Sequence, residues 1–205
     1  MPGAATKRRL DEEIAKHRSP DHDIDPLFVN RWSPRAMAGE SLAEDEILPL
    51  FEAARWAPSA FNNQHWRFVY ATRGDEEWNT FLDLLNDANR AWASKAGALV
   101  AIFSKTTFEH NGDPAGTHSF DTGAAWQNLA LEATRRDLAV HPMAGFDWEG
   151  IHDILGVPEE EFDAEAMVAI GEHADPETLP ADLAEREQPS GRKPLEDIVF
   201  EGKFE

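Results

Sequence analysis

The 205 residues include no cysteine. Disulfides, cysteine-ligated zinc, iron–sulfur clusters and thiol nucleophiles are thereby excluded. Basic residues are scarce as well: 19 Lys and Arg stand against 39 Asp and Glu, a net charge of −20. Such a surface repels nucleic-acid phosphates and anionic membranes, and its plainest consequence is solubility. No apolar run approaches the roughly 18 residues that a membrane span requires. Met1 to Arg18 is charged and has no apolar h-region, so no secretory signal is read there and a cytoplasmic location is expected. Common catalytic motifs are missing too: no GxGxxG follows a strand, and there is no GxxxxGKS/T, HExxH or GxSxG. The eight histidines are scattered without paired ligand spacing, so no metal site is expected. Acid pairs carry no information in so acidic a chain.

What is present is a foldable chain: 41% hydrophobic, with seven Trp and twelve Phe. Residues 7–17 read as a short charged helix and 18–30 as an extended, Pro- and Asp-rich lead-in. Ser41 and Glu44 fit a capping box. Ile47, Leu50, Phe51 and Ala54 then recur with helical spacing, predicting a helix over 43–56 that Pro58 ends. Trp66 to Ala71 alternates as a strand, 75–86 suits a helix, and Ala98 to Phe103 is an apolar run of strand length buried on both faces. Residues 105–117 form a long loop. A helix over 118–136, rich in Gly and Ala, is expected to be buried nearly all round. Leu138 to Phe146 reads as a turn-rich connection, 147–155 as a short helix and Ala166 to Gly171 as a further buried strand. These elements make an α/β or α+β sandwich with a small sheet between helices. The tail from Asp175 ends in Leu195, Ile198, Val199 and Phe200, which either supply an edge strand to a partner or form a loosely packed terminus.

Two clusters carry chemistry. The first is Arg31-Trp32-Ser33-Pro34-Arg35, where two guanidiniums and a hydroxyl are placed to grip phosphate oxygens, or else to pair with nearby surface acids. The second, Ala57-Pro58-Ser59-Ala60-Phe61-Asn62-Asn63-Gln64-His65-Trp66-Arg67-Phe68, sets three amides and a Ser on a loop between a helix and a strand. Amides match the alternating polarity of a flavin or nucleobase edge; the same residues also suit a tight turn.

RWSPR followed by EILPLFEAARWAPSAFNNQHWRFV resembles the amino-terminal signature of the FMN-dependent nitroreductase family. DTGAAWQNLALEATRRDLAVHPMAGFD is similar to its central helix and following loop, MVAIGEH to its last core strand, and GRKPLEDIVFEGKF to its carboxy-terminal motif. The resemblance covers residues 25–205, with 1–24 as a helical extension. It implies an α+β three-layer sandwich with a small mixed or antiparallel sheet, a carboxy-terminal segment swapped onto the partner, and a homodimer with FMN at the interface. By motif match, Arg31 and Ser33 would hold the phosphate, with Trp32 counted in the same segment. Arg35 would reach the ribityl chain or pyrimidine edge, and Arg192, with Lys193, would close on the phosphate. Pro58, Ser59, Asn62 and, more weakly, Gln64 would meet the isoalloxazine from the other subunit. Pro142, Met143, Ala144 and Gly145 would lie against the ring with a backbone N–H toward flavin N5.

The implied chemistry is ping-pong hydride transfer from NADH or NADPH, through N5, to a nitroaromatic, quinone or similar acceptor. No acid–base residue is nominated. The small-residue central helix suits either a close dimer interface or ordinary core packing. His65 stands where the family usually has Pro, and either lines the pocket or caps the strand. Three rival readings remain: a specialised relative such as a dehalogenase, flavin-consuming enzyme or dehydrogenase; a non-catalytic flavin binder or sensor; and an acidic interaction protein without cofactor.

Overall fold

Apolar residues on both faces of one strand require a covering layer on each side. The computed structural model, which describes residues 9–204, supplies both. The strands are β1 (Trp66–Thr72), β2 (Ala98–Lys105), β3 (Leu138–Met143) and β4 (Phe162–Glu172), in the order β1-β2-β4-β3 and antiparallel throughout. The helices are α1 (Glu12–Ala15), α2 (Pro26–Asn30), α3 (Glu44–Arg55), α4 (Trp78–Asp83), α5 (Asp87–Ala93), α6 (His118–Arg135), α7 (Gly150–Leu155) and α8 (Ala181–Ala184).

Side chains alternate along a strand, so β2 divides between two cores. Ala98, Val100 and Ile102 join Val168 and Ile170 of β4 under α3 and α6, through Ile47, Leu50, Ala54, Leu129 and Ala133. Leu99, Ala101 and Phe103 join Met167 and Ala169 under α4, α5 and α7, through Trp78, Phe81, Trp92 and Ile151. This is the expected α+β three-layer sandwich.

Several local expectations are corrected. Residues 18–30 are not extended throughout: Asp25 accepts from Leu27 N–H at 2.8 Å and Pro26 opens α2, a capped start that favours a helical turn. The Ser41–Glu44 box is not used; α3 begins at Glu44, and Glu46 accepts the Ala43 N–H at 2.8 Å. The helix expected over 75–86 is shorter, α4 at Trp78–Asp83, and α5, which the sequence did not mark, starts just beyond it, where the Asn86 side chain accepts from Asn89 N–H at 2.9 Å. Leu138–Met143 is strand β3 rather than a connection. It is an edge strand, where Pro142 removes no essential ladder bond.

Helix α6 is buried on one side only, with Phe120, Gly123 and Gln127 open on the other; Phe120 is 81% exposed. The charged helix expected over 7–17 is reduced to Glu12–Ala15, and residues 7 and 8 lie outside the described part. Beyond Glu172 no described residue adds a strand to the sheet, and Leu195, Ile198 and Val199 are exposed within the single chain. No helix among the described residues is long and apolar enough to cross a membrane.

Phe103 is fully buried beneath α7, in ring contact with His152. Phe103→Ala is expected to lower unfolding free energy by about 3–5 kcal/mol, as the general cost of such a core truncation. Urea denaturation followed by Trp fluorescence measures it.

Candidate functional site

Residues 31–36 leave α2 and run outward past the end of the sheet. Arg31 is the C-cap of α2, with its N–H on Leu27 O at 3.1 Å. Its Nη1 donates to Ser33 Oγ at 3.2 Å, so the two share a side and the Ser33 hydroxyl hydrogen remains available to a ligand. Trp32, Pro34 and Ala36 line a groove of about 1030 Å³ on the other side, together with Ile14 and His17 of the amino-terminal extension. Trp32, which the sequence places with the cofactor segment, makes no hydrogen bond or ion pair with the arginines among the described residues.

The carboxy-terminal stretch returns to the same place. Arg18 Nε donates to Ser190 O at 2.8 Å, while its Nη1 donates to Val29 O and Arg31 O, both at 2.7 Å. Arg192 Nη1 donates to Ser190 O and Oγ, each at 3.3 Å. Arg18, Arg31 and Arg192 thus converge, and no carboxylate pairs with any of them among the described residues. Burial pushes the Arg18 guanidinium down to about 10, with Arg192 and Arg31 adding repulsion. Burial and then Arg192 lower Arg31 in the same sense. Three mutually repelling cations without an acid among the described residues, in a chain of net charge −20, make a local positive patch of the kind that attracts an anion. Lys193 lies beside Arg192, exposed and without a polar partner among the described residues.

Arg35 takes a different partner. Its N–H and that of Ala36 (2.8 Å) both donate to Glu187 Oε1, and its guanidinium lies 3.6 Å from Glu187 Oε2. The Glu187 side chain is only 1% exposed. This acid fixes the outgoing end of the segment and was invisible in sequence among 39 acids.

His141, on β3, joins the arginine segment to the predicted ring-facing loop. Its Nδ1–H donates to Pro34 O at 3.1 Å, and its ring lies 4.7 Å from that of Trp92. Pro142, Met143, Ala144 and Gly145 follow directly. Gly145 O accepts from Asn86 N at 3.1 Å and from Asn89 Nδ2 at 3.0 Å. A Cβ on Gly145 would come within 2.3 Å of Asn86 Nδ2 and 2.6 Å of Asn89 Nδ2, so any larger residue requires these amides to shift. No acceptor for the Ala144 or Gly145 N–H is found among the described residues.

The amide loop occupies another corner. After Pro58, Ser59 Oγ accepts from Gln64 N at 3.0 Å, and Gln64 Nε2 donates to Asn62 O at 3.1 Å. Phe61, Asn62 and Gln64 all have positive φ (53°, 54° and 52°), so the loop is strained and held from below. The support comes from Asp121, which accepts Ala60 N at 2.9 Å, and from Asn63, whose Nδ2 reaches Thr107 O at 3.2 Å. His65 is fully buried, with Nδ1–H on Lys105 O at 2.7 Å and Nε2 3.8 Å from Asp121 Oδ2. It therefore packs under the strand start and does not line a pocket. Within the described chain no hydrogen bond or ion pair links residues 58–64 to the arginine cluster.

Of the residues singled out in the sequence, Arg31 and Ser33 are in contact, Arg192 lies near Arg31, and the 142–145 loop follows His141, which is bonded to Pro34. Sequence reasoning overlooked Arg18, Glu187 and His141. Arg18 stands in a stretch with Asp21, Asp23 and Asp25, where a surface ion pair was the simpler reading; no local signal marks the other two.

A three-layer α+β sandwich with a cationic edge between its two termini is the class these observations define. The family model described as "Nitroreductase family" matches residues 29–112 and 84–172, and the chain belongs to that family. A solved structure described as an oxidoreductase containing FMN is 46% identical, with TM-score 0.88, covering 92% of this chain and 96% of its own. A 15.4 kDa protein of Mycolicibacterium smegmatis without assigned function is 34% identical over 67% of this chain and 97% of itself. A Rhodopseudomonas palustris (strain TIE-1) protein, provisionally described as an NADH dehydrogenase/NAD(P)H nitroreductase, is 28% identical over 62% of this chain and 74% of itself.

One pH dependence follows from His141. Burial, then Arg35, depress it to about 4 against an ordinary 6.5. The folded state disfavours its protonation, so stability is fully present above pH 6.5 and falls as pH drops toward 4. The loss should approach about 3 kcal/mol as an upper bound. His141→Gln keeps a donor for Pro34 O and is expected to flatten that part of the profile, measured by urea midpoints across pH 4–7.

Proposed function

We propose that this chain is an FMN-dependent NAD(P)H oxidoreductase delivering reducing equivalents to a small electrophile such as a nitroaromatic or quinone. The two substrates would take turns in one cleft, in a ping-pong cycle. The observation that carries the reading is the convergence of Arg18, Arg31 and Arg192 without a carboxylate partner, beside a loop with unpaired backbone N–H groups. A flavin phosphate fits the former and a flavin ring edge fits the latter. The relative described as containing FMN, at 46% identity, supports the cofactor, and the Rhodopseudomonas protein's description supports the nicotinamide.

In this reading bound FMN supplies the hydride acceptor and donor, and the protein's residues bind, orient and exclude water. Arg31, Ser33 and Arg192, with Lys193 at the rim, hold the phosphate. Arg35, already paired with buried Glu187, holds its positive charge near the pyrimidine edge, where it would favour the reduced anion. The 142–145 backbone faces the ring. Pro58, Ser59, Asn62 and Gln64 reach it from a second subunit, a placement consistent with the lack of a polar contact between them and the arginines among the described residues. The open face of α6 (Phe120, Gly123, Gln127) and the exposed apolar tail support a homodimer in which the tail wraps the partner. Residues 25–205 then form the FMN domain and 1–24 an extension, in a cytoplasmic protein.

Protein purified without added cofactor is expected to be yellow, with FMN released on denaturation, and anaerobic NADH or NADPH should bleach it. A colourless protein that takes up no added FMN overturns the reading. Flavin bleached by neither nicotinamide would favour a binder over a reductase. Replacing Arg31 and Arg192 together with Ala is expected to weaken FMN binding at least about a hundredfold, the scale of losing two charge-assisted contacts. Flavin fluorescence quenching measures it.

A further inference from the structure

Residues 190–204 touch the rest of the chain very little. They are exposed except for Phe200, and their remaining hydrogen bonds are local, from Arg192 back to Ser190 and Gly191 and between neighbours from Pro194 to Lys203. Among the described residues, the bond from Arg18 Nε to Ser190 O is the one hydrogen bond that joins this stretch to the body. The same guanidinium holds Val29 O and Arg31 O through Nη1. A guanidinium has five N–H donors. Three point at backbone carbonyls of two chain segments, and the remaining two, both on Nη2, have no partner among the described residues.

We propose that Arg18 is both a tether and a phosphate ligand: it holds the carboxy-terminal stretch so that Arg192 faces Arg31, and its free Nη2 edge takes an oxygen of the same phosphate. Binding of the phosphate and docking of residues 190–204 are then one coupled event. The physical reason is charge. Docking Ser190 on Arg18 brings Arg192 against two other cations in a partly buried place, which repulsion opposes. A dianionic phosphate reverses the sign of that interaction, so each event favours the other by the same factor. The inference rests on the FMN reading above, and it adds a residue from the amino-terminal extension, outside the stretch matched by the family model.

The test uses the full-length protein and reads hydrogen exchange of residues 190–204 with no ligand, with FMN and with riboflavin, which lacks the phosphate. FMN is expected to slow exchange of the 190–193 amides about tenfold or more, and saturating riboflavin to leave it unchanged. Arg18→Ala is expected to weaken FMN about tenfold or more, to leave riboflavin affinity within about twofold, and to abolish the FMN-dependent protection. Arg18→Lys keeps the charge but cannot hold three carbonyls; it should retain more FMN affinity than Ala while losing the protection, and it serves as the readout if the Ala variant does not fold. Wild-type FMN affinity and undiminished protection in the folded variant would overturn the inference while leaving the cofactor reading intact. If the unaltered protein binds no FMN, it is the cofactor reading that fails.

Discussion

Like charges gathered without an acid set the terms for the rest of this molecule. In a chain with twice as many acids as bases, random placement would surround each arginine with carboxylates. Arg18, Arg31 and Arg192 instead face one another, and burial with mutual repulsion depresses Arg18 and Arg31. Such an arrangement persists only where the scaffold enforces it. Here the enforcement comes from backbone carbonyls, which neutralise none of the charge: Val29, Arg31 and Ser190 orient Arg18 without forming an ion pair. Oriented but uncompensated charge is the physical signature of a site made for an anion.

The segment that carries Arg31 and Arg35 is tied down by several direct contacts. Glu187 takes the amides of Arg35 and Ala36, and the segment continues through a bridge between Met37 and His173, so residues 31–38 are fixed from both ends. His141 ties the same segment to β3, whose central neighbour β4 is packed on both faces. The arginine segment and the 142–145 loop are therefore joined by a short path of direct contacts. A ribityl chain limits how far a flavin ring can lie from its phosphate, so a protein that bound both would gain from such a path.

The layers were legible because they follow from periodicity. Ala98 to Phe103 alternates between two cores, and Ile47, Leu50 and Ala54 repeat with the helix. What was not legible depended on one side chain acting at a distance. Asn86 caps a helix, α5, in a stretch where the sequence marked none. Pro142 argued against a strand, and only the edge position of β3 makes it acceptable. In the site, Arg31, Ser33 and Arg192 could be grouped because their motifs resemble those of a family, but Arg18 and Glu187 belong to no motif. Their roles arise from tertiary placement, 172 residues of separation in the case of Arg18 and Ser190.

The amide loop raises a separate constraint. Phe61, Asn62 and Gln64 adopt left-handed backbone conformations within four residues, each costing on the order of 1 kcal/mol or more. Ser59, Asn63 and Asp121 hold that strain in place, and Phe61 remains 81% exposed, with its ring against Phe108 and His110. A loop strained, supported from below and apolar at its tip is built to present groups outward. Among the described residues no polar contact joins it to the arginine cluster. A flavin shared by both could lie between two copies of the chain, as proposed above. Assembly and cofactor binding are then linked: a lone subunit offers the phosphate a cluster of cations, but offers the ring only the 142–145 backbone.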